Sequence, residues 1–173
     1  MASLIKPKSQ DPNTQNLIKQ IGEEMRIHEW SLTTAESCTG GGVAYSITSI
    51  PGVSEWFSRS YVTYCDEAKS QDLTVSNAML KEYGAVSQPV AIAMAEGALQ
   101  KSQCDIALSI TGIAGPEGGS DEKPVGLVWF AWASKNGQTS SDKKVFKGDR
   151  RKVRKKAIRF ALEGLLFYLN RTS

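Results

Sequence analysis

The sequence predicts a single α/β domain, a three-layer α/β/α sandwich around a mixed, mostly parallel sheet. Three observations predict it. Short β-branched or apolar runs alternate with longer stretches of helical periodicity. Two of the runs meet at Asn136-Gly137, a hairpin signal, so at least one strand pairing is antiparallel. The chain has 173 residues, 40% of them hydrophobic and 23% charged, the mix of one ordinary globular domain with a packed core.

Residues 1–12 read as a flexible tail and 13–173 as the domain, with no repeat or linker inside it. In TQNLIKQIGEEMRIH (14–28), Leu17, Ile18, Ile21 and Met25 share one helical face. LTTAES is a short strand that runs into CTGGG. VAYSITSI then reads as a helix stopped by Pro51-Gly52. WFSRSYVTYC (56–65) reads as a strand, with Asp66 as the cap of the helix DEAKSQDL. Ser76 can cap a helix ending at Gly84. Ser87, with Pro89 in the first turn, opens another. DIALSIT is a strand of buried character that ends in the loop GIAGPEGGSDEKP. VGLVWFAWAS and TSSDKKVFK are two more strands. Asp149 can cap the last helix, whose stripe includes Val153, Ala157, Ala161, Leu165 and Leu169.

Composition excludes several function classes. The net charge of +3 is too mild to imply a nucleic-acid partner by itself. The basic run from Lys143 to Arg159 reads as a solvated helix face, with nucleic-acid binding as the weaker alternative. No apolar run approaches the roughly 20 residues of a membrane span, so no membrane partner is expected. The three cysteines, Cys38, Cys65 and Cys104, have no framework spacing, which suits a reducing cytoplasm. The single histidine, His28, lies at a helix end and offers no triad. No CxxC or HxxxH suggests a metal site, so no metal is expected.

Four segments carry candidate chemistry. Glu36-Ser37-Cys38-Thr39-Gly40-Gly41-Gly42 lies where a strand hands over to a helix. Its glycines let backbone N–H groups face a ligand beside two hydroxyls, as in a phosphate cradle or an oxyanion hole around a serine nucleophile. A tight turn with a serine cap is the plain alternative. Tyr64-Cys65-Asp66-Glu67-Ala68-Lys69 places a lysine in the first turn of a helix. Burial and the helix dipole there favour the neutral amine that a lysine base needs, and serine–lysine pairs replace triads without histidine. A solvated lysine is the alternative. Thr111-Gly112-Ile113-Ala114-Gly115 opens a four-glycine loop after a buried strand, where α/β proteins place ligands. Arg150 begins a helix after Gly148-Asp149, placed to meet a phosphate or carboxylate bidentately.

Together, TAESCTGGG, WFSRSYVTYCDEAK, GAVSQPVAIAMAEGAL, SITGIAGPEGGSDEKPVGLVWFA and FKGDR resemble the CinA carboxy-terminal domain family, the nicotinamide-nucleotide amidohydrolases, from about Leu17 to about Leu169. The resemblance implies hydrolysis of nicotinamide mononucleotide to nicotinate mononucleotide and ammonia, without metal or redox cofactor, in a protein that often forms homo-oligomers. It implies Ser37 as nucleophile and Lys69 as base, with Thr39 and the N–H groups of 38–41 around the oxyanion. Glu36, Cys38, Gly40, Gly41, Thr111, Gly112 and Gly115 are the pocket residues expected to bind substrate. Tyr64 is the candidate for stacking on the pyridinium ring, and Arg150 for the 5′-phosphate. A non-catalytic nucleotide-binding module using the same loops is the alternative function.

Overall fold

The computed structural model describes residues 12–172. The expected tail lies outside these residues except for Pro12, which opens the first helix. The elements are α1 (Pro12–Ile27), β1 (Leu32–Glu36), α2 (Gly42–Thr48), a 3₁₀ turn (Val53–Glu55), β2 (Phe57–Val62), α3 (Asp66–Leu73), α4 (Asn77–Tyr83), α5 (Gln88–Ser102), β3 (Ile106–Gly112), β4 (Leu127–Ser134), β5 (Thr139–Val145) and α6 (Arg150–Thr172). Among the described residues no helix is long and apolar enough to cross a membrane.

The five strands form one sheet in the order β2-β1-β3-β4-β5. β1 pairs parallel with β2 and β3, whereas β3–β4 and β4–β5 are antiparallel, so β4 alone opposes the common direction. One apolar layer joins the sheet to α1, α2 and α6 through Ile18, Ile21, Val43, Phe130, Val153 and Leu165. The other joins it to α3, α4 and α5 through Leu73, Leu80, Val90, Met94 and Ala107. With a layer on each face, the central strands are buried on both sides, which is why β1 and most of β3 read as continuously buried runs.

Local chemistry fixes most boundaries. Ser76 Oγ accepts the Met79 N–H at the start of α4, and Asp149 Oδ1 accepts the Lys152 N–H at the start of α6. The Asn136-Gly137 turn is closed by the Ser134 N–H on Gln138 O at 2.9 Å. Four local expectations need correction. Asp66 is the first residue of α3 and not its cap; Cys65 holds the cap position in extended conformation without a side-chain bond. α2 ends at Thr48, two residues short of the expected stretch, and β2 ends at Val62 because the chain turns there toward α3. Ser87 precedes α5, but its hydroxyl donates to Gly84 O and does not cap the helix.

Candidate active site

The carboxyl ends of β1, β2 and β3 meet where the chain leaves β1 toward β2 on one side and β3 lies on the other. This is the switch point at which open α/β sheets bind ligands. Ser37 follows β1 directly, and its N–H donates to Ile110 O of β3 at 2.9 Å. Its hydroxyl is nearly buried and has no hydrogen-bond partner among the described residues.

The turn after Ser37 is built by backbone and glycine. Gly40 N–H donates to Ser37 O and Gly42 N–H to Thr39 O, while Gly40 and Gly41 take φ of 56° and 84°, which L side chains adopt only with strain. A Cβ on Gly42 would lie 2.5 Å from Ile158 Cδ1, so α6 packs against the turn there. The N–H groups of Thr39 and Gly41 are left unbonded among the described residues, while that of Cys38 is bonded to its own thiol. Free N–H groups immediately beyond a serine hydroxyl are what an oxyanion hole requires.

Glu36 has a different role from the substrate contact expected of it. It is fully buried. Oε2 accepts from Thr39 Oγ1 at 2.7 Å and from Val43 N–H at 3.0 Å; Oε1 accepts from Ala44 N–H at 2.9 Å and Ser60 Oγ at 3.4 Å. The carboxylate therefore satisfies the first N–H groups of α2 and locks the turn from beneath. The Thr39 hydroxyl is consumed by this contact, which leaves its unbonded N–H as the group it could offer a ligand.

Lys69 is 1% exposed and sits in the first turn of α3. Its Nζ donates to Tyr64 O and Cys65 O at 3.4 Å each and meets Asp66 Oδ1 at 3.5 Å. These are long bonds, so the amine is loosely held. Ser37 is not among its partners. On the third loop, the Thr111 hydroxyl donates to Ala85 O, which ties the end of β3 to the approach of α5. Gly112 ends β3, and Gly115 O accepts from Arg150 Nη1 at 3.0 Å. Arg150 Nη2 reaches Tyr64 Oη at 2.5 Å, so this guanidinium bridges the second and third loops over the site.

One turn along α6, Arg154 donates from Nη2 to Thr39 O at 2.7 Å, while its Nε is buried without a partner. Arg154 thus departs from the solvated face expected of the basic run. Its four-residue spacing from Arg150 puts both guanidinium groups on one side of the helix, a spacing that Arg151/Lys155 and Lys152/Lys156 share, so the sequence alone does not single it out. Neither arginine has a carboxylate partner among the described residues.

Cys38 lies beside the nucleophile candidate. Burial pushes its thiol up to about 12, with Glu36 adding to the rise and Arg154 and Arg150 opposing it. At neutral pH it is a protonated thiol and a poor nucleophile. Treatment of the native protein with iodoacetamide is expected to alkylate exposed Cys65 first, leaving Cys38 and Cys104 for the unfolded chain. Peptide mass mapping before and after denaturation checks this, and rapid native labelling of Cys38 would contradict the burial.

A cleft of about 880 Å³ between β5 and α6 lies at the far end of the sheet, beside the Gly137 turn, and shares no residue with these loops.

Fold and loop geometry define a three-layer α/β/α protein with a serine-bearing site at its topological switch point. The CinA C-terminal domain model matches residues 14–169. A protein named nicotinamide-nucleotide amidohydrolase PncC from Escherichia coli (strain K12) is 49% identical over 155 residues, covering 90% of this chain and 94% of that protein. One of the same name from Pseudomonas putida is 46% identical over 156 residues, covering 90% and 96%. The crystal structure of a competence-damaged protein (CinA) superfamily protein from Klebsiella pneumoniae 700603 superposes with a TM-score of 0.88 at 38% identity, covering 92% of this chain and 99% of that one. The chain belongs to the CinA C-terminal domain family.

Proposed function

We propose that this protein hydrolyses the carboxamide of nicotinamide mononucleotide, giving nicotinate mononucleotide and ammonia, with Ser37 as nucleophile and Lys69 as base. The observation that carries the chemistry is the unpartnered Ser37 hydroxyl at the mouth of a turn whose Thr39 and Gly41 N–H groups are unbonded among the described residues, with the buried Lys69 in the helix that follows the neighbouring strand. The relatives' names supply the substrate.

In the proposed reaction the unprotonated Lys69 amine takes the Ser37 proton as Oγ bonds to the carboxamide carbon. The oxyanion is held by N–H groups of Thr39 and Gly41; one such donor is typically worth roughly 2.7–4 kcal/mol of transition-state stabilisation. The carbon–nitrogen bond then breaks as Lys69 returns the proton, and ammonia leaves. Lys69 next deprotonates a water, which cleaves the ester and restores Ser37. The only co-reactant is water. Tyr64, exposed at the rim, offers its face to the pyridinium ring.

Ammonia release from the mononucleotide, with Ser37→Ala as control, tests the reading. Wild-type protein that releases none, or Ser37→Ala that releases it at the wild-type rate, would refute it. Arg150 is assigned to the phosphate. Arg150→Ala is expected to raise KM for the mononucleotide roughly ten- to a hundredfold, the value of a charge-assisted bond. The dephosphorylated nucleoside should show a much smaller change at the same ionic strength. Equal weakening of both substrates would remove the assignment.

A further inference from the structure

Thr63 stands between the two groups assigned to the chemistry, and the mechanism above does not use it. It is fully buried, and its Oγ1 has no hydrogen-bond partner. Among buried side-chain polar atoms it shares that condition only with Trp56 Nε1 and Arg154 Nε among the described residues. An orphaned buried hydroxyl costs the fold stability, so its presence calls for a reason.

Its position supplies one. The β1–β2 register pairs Ala35 with Tyr61 and Glu36 with Val62, and the Thr63 N–H donates to Glu36 O at 2.9 Å. One residue further, Thr63 lies beside Ser37, on strands about 4.8 Å apart. By the alternation of side chains, both belong to the face that carries Ala35 and Tyr61, which pack in the layer with α3 and α5. Lys69 comes from α3 on that face, and its Nζ rests on the carbonyls of Tyr64 and Cys65, the two residues after Thr63. Ser37 and Thr63 thus continue the β1–β2 register side by side, Lys69 Nζ rests on the carbonyls that follow Thr63, and no hydrogen bond joins the three side chains. The lysine's long contacts leave it free to turn.

We propose that the Thr63 hydroxyl bridges Ser37 and Lys69 and relays the proton between them; the proposal rests on the serine–lysine reading above. In acylation the Ser37 O–H bond breaks as Oγ joins the carboxamide carbon. The proton goes to Thr63 Oγ1, whose own proton passes to the free pair on Lys69 Nζ. The reverse transfer serves the departing nitrogen, and Thr63 ends unchanged. A hydroxyl is suited to this because it donates one proton and accepts at two lone pairs.

The test is Thr63→Val, which keeps the shape and removes the hydroxyl, alongside Thr63→Ser, Thr63→Ala, Ser37→Ala and Lys69→Met in the full chain. Thr63→Val is expected to lower kcat by about 100-fold or more, the usual reach of positioned proton transfer, with KM little changed. Its Tm should equal or exceed that of the wild type, because an unsatisfied group has gone. Thr63→Ser should recover most of the rate. Thr63→Ala should match Thr63→Val, so the result survives a valine variant that fails to fold. Valine or alanine variants within about twofold of wild-type kcat would overturn the relay, and so would a serine variant as slow as the valine one. Activity retained by Ser37→Ala or Lys69→Met would instead remove the dyad reading beneath it, so the two failures are distinguishable.

Discussion

Lys69→Met is expected to give a protein that melts at or above the wild-type temperature and releases ammonia roughly 10²–10⁴-fold more slowly, the span attributed to a positioned acid or base. The stability half follows from burial. Lys69 is among the largest fully buried side chains of the domain, in the company of Phe130, Ile18 and Ile21. Its one anionic neighbour among the described residues is Asp66, at 3.5 Å with a side chain 56% exposed. Replacing a buried amine that makes only long hydrogen bonds by an apolar chain of similar volume is commonly neutral or stabilising. The two carbonyls that lose a donor, Tyr64 O and Cys65 O, lie in a segment next to solvent.

The activity half follows from position, because no other lysine is buried among the described residues and the single histidine lies at the end of α1. The residues of a dyad act as a unit, so Ser37→Ala combined with Lys69→Met should be hardly slower than either alone. Ser37→Ala keeps the loop backbone and should still bind the mononucleotide. Thermal melts, single-turnover ammonia release and equilibrium binding on the three variants check these points. A Lys69→Met protein with full activity would show that the amine is not the base. One that fails to fold would show that its contacts with the 64–66 segment are structural.

What the sequence made legible was what local chemistry decides. Ser76 and Asp149 announce helix starts because a side-chain oxygen two or three residues before a free N–H has a local partner. Asn136-Gly137 announces a hairpin because the turn needs positive φ, and Gly137 has 88°. The strand–glycine–helix passage at Ser37 is local in the same sense. The loops bearing Ser37, Lys69, Gly115 and Arg150 were each recognisable, and the fold places all four at one end of the sheet.

What was not legible depends on partners distant in the chain. Glu36 is a pocket candidate in the segment that resembles the family, yet strand alternation turns its side chain to the opposite face from that of Ser37. Its partners are α2 and Ser60, 24 residues away. Arg154 sits in a run of lysines and arginines whose composition says only that the face is charged. Thr39 O, 115 residues away, sets it apart. Thr111 had the look of a pocket hydroxyl, but its bond to Ala85 O could be known only once α5 was packed over β3. Thr63 gave no signal at all, since an unsatisfied hydroxyl is a property of the packed interior.

The buried carboxylate of Glu36 carries the other large expected effect, on stability and rate together. Glu36→Gln keeps the volume but replaces one acceptor oxygen by an NH₂ group. Every partner of the carboxylate among the described residues is a donor toward it: Thr39 Oγ1, Val43 N–H, Ala44 N–H and Ser60 Oγ. The amide can satisfy one side of this set and must face the other donor to donor. Ser60 is engaged as well, since Thr34 Oγ1 and Ser60 Oγ are 2.7 Å apart, so a hydroxyl that turned to accept from the amide would disturb that contact too. Bonds to charged groups are worth roughly 1.5–3 kcal/mol each, and a stranded buried donor adds to the loss, so Glu36→Gln is expected to cost on the order of 2–4 kcal/mol. Glu36→Ala should cost more, because it adds a cavity beneath α2 and strands both helix N–H groups. The proposed catalytic consequence comes through Thr39, whose side chain is fastened to Glu36 while its N–H is unbonded among the described residues. A turn released from beneath no longer fixes the N–H groups of 38–41 against the developing oxyanion. The kcat of Glu36→Gln should therefore fall by about 10²–10³, the loss seen when one such donor is removed. The binding contacts proposed for Arg150 and Tyr64 lie on other segments, so KM should move little. Chemical denaturation gives the stability change, and steady-state ammonia release below the melting range separates kcat from KM. A Glu36→Gln protein with wild-type stability would mean that the capping bonds contribute nothing net. One that is destabilised yet turns over at the wild-type rate would mean that the turn holds its shape without them.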